Sequence, residues 1–115
     1  MNTLEIQLKN GEKLNLEVTP LLLEYVEDYK GGIEQLRKDA QGNIDENGYT
    51  KTMYATNQLL YAIIASNYEK ALTYRQAVRL VNIEDTTRII EFINENISGL
   101  KENKEKNADN IFHRI

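Results

Sequence analysis

The sequence predicts an α+β fold, mainly helical, in which an N-terminal β-hairpin packs on a small helical bundle. Three observations lead there. Residues 4–18 alternate apolar and polar side chains around Asn10-Gly11. Beyond residue 20 the apolar spacing changes to three and four, the period of a helix. The 115 residues suffice for one core in one domain, and no cysteine is present to staple it.

The elements follow in chain order. Leu4, Ile6 and Leu8 alternate with Glu5, Gln7 and Lys9, and Leu14, Leu16 and Val18 alternate with Asn15 and Glu17. This predicts a hairpin over 3–18, with Asn10-Gly11 supplying the two positive-φ residues of a tight primed turn. Two strands are marginal alone, so their apolar face must lie on helices. Thr19-Pro20 opens a helix over 20–30, with Thr19 as N-cap, Leu22, Val26 and Tyr29 on its inner face, and Gly31-Gly32 as its stop. Ile33, Leu36 and Ala40 mark a second helix over 33–40. After a polar loop, 42–48, a long helix is expected over 50–71. Its centre, Leu59 to Ala65, is apolar all round and so reads as the spine of the domain. Thr73 and Gln76 have capping-box spacing at the head of a helix over 73–81. Asn82 reads as the cap of a last helix over 83–97, with Ile83, Thr86, Ile90, Ile93 and Ile97 as its inward stripe. Residues 1–98 thus form one globular domain, and 99–115 read as a mobile charged tail closing on Ile111, Phe112 and Ile115.

Composition excludes several function classes. The absence of cysteine removes disulfides, thiol nucleophiles and thiolate metal sites. The N-terminus has no basic region followed by an apolar stretch. The longest apolar run is seven residues, against the roughly 20 that a membrane span requires. The expectation is a soluble, cytoplasmic chain with no membrane partner. Fourteen basic residues stand against 18 acidic ones, a net charge of −4. Such a balance repels phosphate backbones, and the densest basic stretch, 101–106, is interleaved with Glu102 and Glu105. Nucleic acid is not an expected partner.

Several patterns in the chain approach known chemical sites without completing them. Asn43, Asp45, Asn47 and Gly48 match the opening of a calcium-binding EF-hand loop. Lys51 and Tyr54, however, stand at positions nine and twelve, where twelve requires a bidentate acid, so an Asx-rich turn is the better reading. The one histidine, His113, falls in the tail, a poor place for a catalytic base. The acidic pairs Glu24 with Glu27 and Asp28, and Glu84 with Asp85, read as solvated faces and helix starts. Gly31-Gly32 lacks the Lys-Ser/Thr of a phosphate loop. The helices 73–81 and 83–96 superficially form a helix-turn-helix. The second, however, opens with Glu84, Asp85, Thr86 and Thr87, with Arg88 alone basic, where a recognition helix presents Arg, Lys, Asn or Gln to base edges, so DNA reading is not expected. No cofactor, metal or catalytic residue is assigned, and the chain is expected not to be an enzyme.

Seven tyrosines against two phenylalanines and no tryptophan are unusual. Tyrosine joins a large contact area to a polar tip and suits core rims and protein interfaces. The candidate partner-binding residues are Tyr25, Tyr29, Tyr54 and Tyr68, with Ile111, Phe112 and Ile115 as a hydrophobic hook.

The order of parts resembles a known family. The strands Leu4 to Val18 flank the Lys9-Asn10-Gly11-Glu12-Lys13 turn, and an acidic helix is broken by Gly31-Gly32-Ile33-Glu34. The segments Leu72-Thr73-Tyr74-Arg75-Gln76-Ala77 and Leu80-Val81-Asn82-Ile83-Glu84-Asp85 follow. Over about residues 1–97 this pattern is similar to the tail assembly chaperones of siphophages and prophages. The resemblance implies a hairpin on a helical bundle that binds the long, helix-rich tape measure protein and keeps it soluble during tail morphogenesis. It implies no catalytic or metal-binding residues, and the same surface leaves self-association open. A small helical transcriptional regulator or adaptor is the alternative.

Overall fold

The computed structural model describes residues 2–41 and 48–97, with the backbone alone at 48–51. The EF-hand-like segment at 43–47, His113, and the expected hook Ile111, Phe112 and Ile115 lie outside these residues. The fold is α+β and mainly helical, as the sequence predicts. Strand β1 (Leu4–Gln7) pairs antiparallel with β2 (Lys13–Leu16), and the helices are α1 (Pro20–Glu24), α2 (Gly32–Ala40), α3 (Gly48–Asn67) and α4 (Tyr74–Leu80). A single 3-10 turn (Ile83–Asp85) then leads into α5 over 86–97.

Leu4 faces Leu16 and Ile6 faces Leu14, so both apolar rows lie on one side of the hairpin, with Ile6, Leu8 and Leu16 buried. The turn differs from the expected two-residue primed type. The Leu8 N–H donates to the Glu12 carbonyl at 2.8 Å and the Gly11 N–H to the Leu8 carbonyl at 2.9 Å, which is a three-residue loop. Only Gly11, at φ 88°, is left-handed, while Asn10 acts through its side-chain oxygen, accepting the Glu12 N–H at 3.0 Å. The longer loop lets the Lys9 N–H reach the Leu80 carbonyl at the end of α4, at 2.8 Å.

The helix expected over 20–30 stops at Glu24. Beyond it the chain runs in i→i+3 turns, with Val26 N–H bonded to Leu23, Tyr29 N–H to Val26 and Gly32 N–H to Tyr29. Glu24, Glu27 and Asp28 would have occupied its later turns, where the helix dipole disfavours acids, with Lys30 alone to offset them. Gly31 and Gly32, at φ 89° and 70°, then reverse the chain into α2. Thr19 holds the N-cap position in extended conformation, but its side chain makes no cap bond.

Helix α3 ends at Asn67 instead of 71. The Asn67 amide donates to the Ile63 carbonyl at 2.9 Å and the Glu17 carbonyl at 3.0 Å, and its oxygen accepts the Glu17 N–H at 3.1 Å. One side chain thereby closes the helix and takes the place of a strand partner at the end of β2. The spine assignment holds, since Ala55, Leu59, Leu60, Ala62, Ile63, Ile64 and Ala65 are buried and α3 touches α1, α2, α4 and β2. The capping box at α4 is present, with Thr73 Oγ1 accepting the Gln76 N–H and Gln76 Oε1 accepting the Thr73 N–H. Asn82 does not cap with its side chain. Its amide donates to the Gln7 carbonyl at 2.8 Å and ties the last helical segment to β1. The inward stripe of that segment is Ile89, Phe92, Ile93 and Ile97, whereas Ile83 is 89% exposed on the 3-10 turn. The 3-10 turn rotates the face presented by its residues, so Ile83 falls out of the stripe that spacing alone assigned to it.

Candidate functional site

Three consecutive features of the chain converge on one cleft: the 25–31 turns, helix α2, and the middle of α3. Tyr54, Gln58 and Tyr61 stand at i, i+4 and i+7 on one stripe of α3 and form one wall. Glu24, Tyr25, Asp28, Tyr29, Lys30 and Gly31 form the facing wall, and Gln35 and Asp39 of α2 close it at one end. The space between them is about 900 Å³, within the size range of ligand pockets.

Aromatic packing fixes the walls. Tyr29 and Tyr54 stack with centroids 6.3 Å apart and planes at 23°. Tyr25 meets Tyr61 edge to face at 5.3 Å, and Tyr61 meets Tyr74 of α4 at 5.9 Å and 71°. Tyr54 is 52% exposed, so the cleft is open to solvent along that ring, and Met53, the preceding residue of α3, is 46% exposed.

Its polar end is organised around Asp39, the one buried charged side chain among the described residues. The Tyr29 hydroxyl donates to Asp39 Oδ2, and Gln35 Nε2 donates to Oδ1 at 2.8 Å. Burial, and then the bond to Asp39 and its charge, push the Tyr29 phenol up to about 12. It is therefore a neutral donor at physiological pH. No buried side-chain nitrogen or oxygen among the described residues lacks a hydrogen-bond partner. Nor do three or more His, Cys, Asp or Glu residues there form a group suited to a metal ion.

Of the residues singled out from sequence, the structure brings Tyr25, Tyr29 and Tyr54 together in this cleft. Tyr68 lies apart, where its hydroxyl donates to Glu12 Oε2 at 3.0 Å beside the hairpin loop, and that bond raises its phenol pKa. Tyr61, Gln35, Asp39 and Gln58 were missed. The stripe Tyr54, Gln58, Tyr61 was the available signal, hidden because Tyr61 sits inside the all-apolar centre of the spine. Asp39 carried no signal, because its importance comes from Tyr29 across the Gly31-Gly32 reversal.

No family model, curated protein or solved structure matches the chain. Among the described residues, no helix is long and apolar enough to cross a membrane.

Proposed function

We propose that the chain is a non-catalytic protein-binding module of the tail assembly chaperone type, which engages the tape measure protein in the bacterial cytoplasm and keeps it soluble until the tail tube assembles. The observation that carries the protein-binding part is the open cleft with four tyrosines in its walls, Tyr54 half-exposed, together with an exposed Met53 on the same helix. Aromatic side chains and methionine are enriched at protein interfaces, and polar tips at the rim permit release. A long amphipathic helical protein exposes apolar stripes before assembly and aggregates through them. A module with an acidic net charge that covers such a stripe keeps the complex soluble. The chaperone assignment itself is supported by the order of hairpin, interrupted acidic segment, spine, capped α4 and last helix. Co-expression with the tape measure protein tests it. The expected result is a soluble partner that co-elutes with this chain. An insoluble partner with this chain eluting alone overturns it.

A further inference from the structure

We propose that the tyrosine cleft is a cation site that takes an arginine or lysine side chain presented by a helical partner segment. The proposal rests on the protein-binding reading above and names the chemistry that the partner must carry.

Charge decides the sign of the occupant. The cleft is lined by three carboxylates, Glu24, Asp28 and Asp39, against one ammonium, Lys30, a net of −2. The half-exposed Tyr54 ring adds to this, because the face of an aromatic ring is its negative pole. An anionic or phosphorylated ligand meets repulsion from both. A wholly apolar ligand would strip water from Asp28, Glu24 and Gln58 and return nothing to them. A cation gains from the ring and the carboxylates together.

Geometry selects the form of the cation. Asp39 is buried with both oxygens held, by Tyr29 and Gln35, so its charge is a fixed element of the wall and does not swing out to meet a ligand. Glu24 and Asp28 are exposed and can close on an incoming group. Tyr54 presents a half-exposed ring beside Gln58, whose amide can accept an N–H. A flat guanidinium satisfies both partners at once by stacking on the ring and donating in its plane, which favours arginine over lysine. The cleft volume exceeds one side chain, so the arginine enters with apolar neighbours three or four positions away on its helix, and these meet the Tyr25 ring.

The probe is Nα-acetyl-arginine N-methylamide, titrated into the full chain and followed by amide NMR shifts, with the uncharged citrulline analogue as control. Saturable shifts confined to 24–31, 35–39 and 54–61 with the arginine compound, weak or absent with citrulline, are expected. Tyr54→Ala, at a half-exposed position that leaves the core intact, should weaken binding by about threefold, the scale of an exposed cation–π contact. The double change Glu24→Gln with Asp28→Asn should weaken it further. Equal shifts with citrulline, or unchanged affinity in both variants, overturn the cation site. The two proposals separate cleanly. If the tape measure protein co-elutes equally well with wild type and with both variants, the cation site is overturned and the chaperone stands. If the arginine probe saturates the cleft but the tape measure protein stays insoluble, the cation site stands and the chaperone falls.

Discussion

Gly31 and Gly32 are adjacent and both left-handed, yet alanine should be tolerated very differently at the two. At φ 89° and 70° each substitution meets the left-handed penalty for an L-residue, about 1–2 kcal/mol. Each also recovers roughly 0.4–1 kcal/mol by restricting the unfolded chain. These contributions nearly cancel in the comparison. The difference lies in what the new methyl meets. At Gly32 nothing lies within 4 Å, whereas at Gly31 a Cβ would stand 2.6 Å from the Cβ of Gln35. The Gln35 Cβ is fixed to the backbone of α2, so no rotamer change relieves the contact and the first turn of the helix must shift. Overpacking of this kind costs about 1–3 kcal/mol. Gly31→Ala should therefore be about 2 kcal/mol less stable than Gly32→Ala. With a urea m-value of about 1–3 kcal/mol/M, that separates the two midpoints by about 1 M. Far-ultraviolet circular dichroism in a urea titration reads it directly. Midpoints within 0.2 M of each other would refute the reasoning, because the close approach of α2 to the reversal would then carry no energy.

The Tyr29 phenol gives a pH dependence of known sign. Its pKa is raised from 10 to about 12 in the folded chain, so the stabilisation is complete below pH 10 and is lost as pH climbs through 12. The ring is partly solvated, so screening holds the effect to about 1 kcal/mol. Wild type should lose more stability than Tyr29→Phe between pH 9.5 and 11.5, and parallel curves would contradict this. In the core, Ile63→Ala should cost about 2–5 kcal/mol. Ile83→Ser, at a position 89% exposed, should stay within about 0.5 kcal/mol of wild type in the same denaturation assay. Asn67→Ala removes both bonds to the Glu17 backbone and should cost about 2–3 kcal/mol, with faster hydrogen exchange at the Glu17 amide.

Where side chains and their neighbours in sequence carry the structural information, the fold is legible before any coordinates. The hairpin rows, the buried centre of α3 and the Thr73–Gln76 capping box all depend on contacts within a few residues or on a strict period. The departures have another origin. Asn67 ends α3 early because Glu17, 50 residues away, offers it a backbone N–H and C=O. The Asn82 amide donates to Gln7, 75 residues away, and its side-chain oxygen does not cap its own helix. In the three-residue hairpin loop the Lys9 N–H bonds the Leu80 carbonyl at the end of α4. In each case a polar group capable of a local bond makes a tertiary one, and periodicity carries no record of that choice. Ile83 fails for a geometric reason, since one 3-10 turn was enough to move it off the stripe.

The cleft arises at the largest of these departures. Had the helix continued to residue 30, Tyr25 and Tyr29 would have stood at i and i+4 beside Leu22, as part of an inward apolar stripe. The acids at 24, 27 and 28 end it instead, and the tighter turns that follow leave Tyr25 against Tyr61 and Tyr29 against Tyr54, both half-buried. The glycine pair then folds α2 back far enough for Tyr29 to reach Asp39, ten residues on. A buried carboxylate needs such a donor, because leaving it without one costs several kcal/mol. The tyrosine hydroxyl, the acidic run and the two glycines therefore form a single device. Each breaks a local helical preference, and together they hold open a polar-ended aromatic cleft where a continuous helix would have closed the core. Local rules tend to yield at functional sites, which is why this interruption is the place to look for a partner.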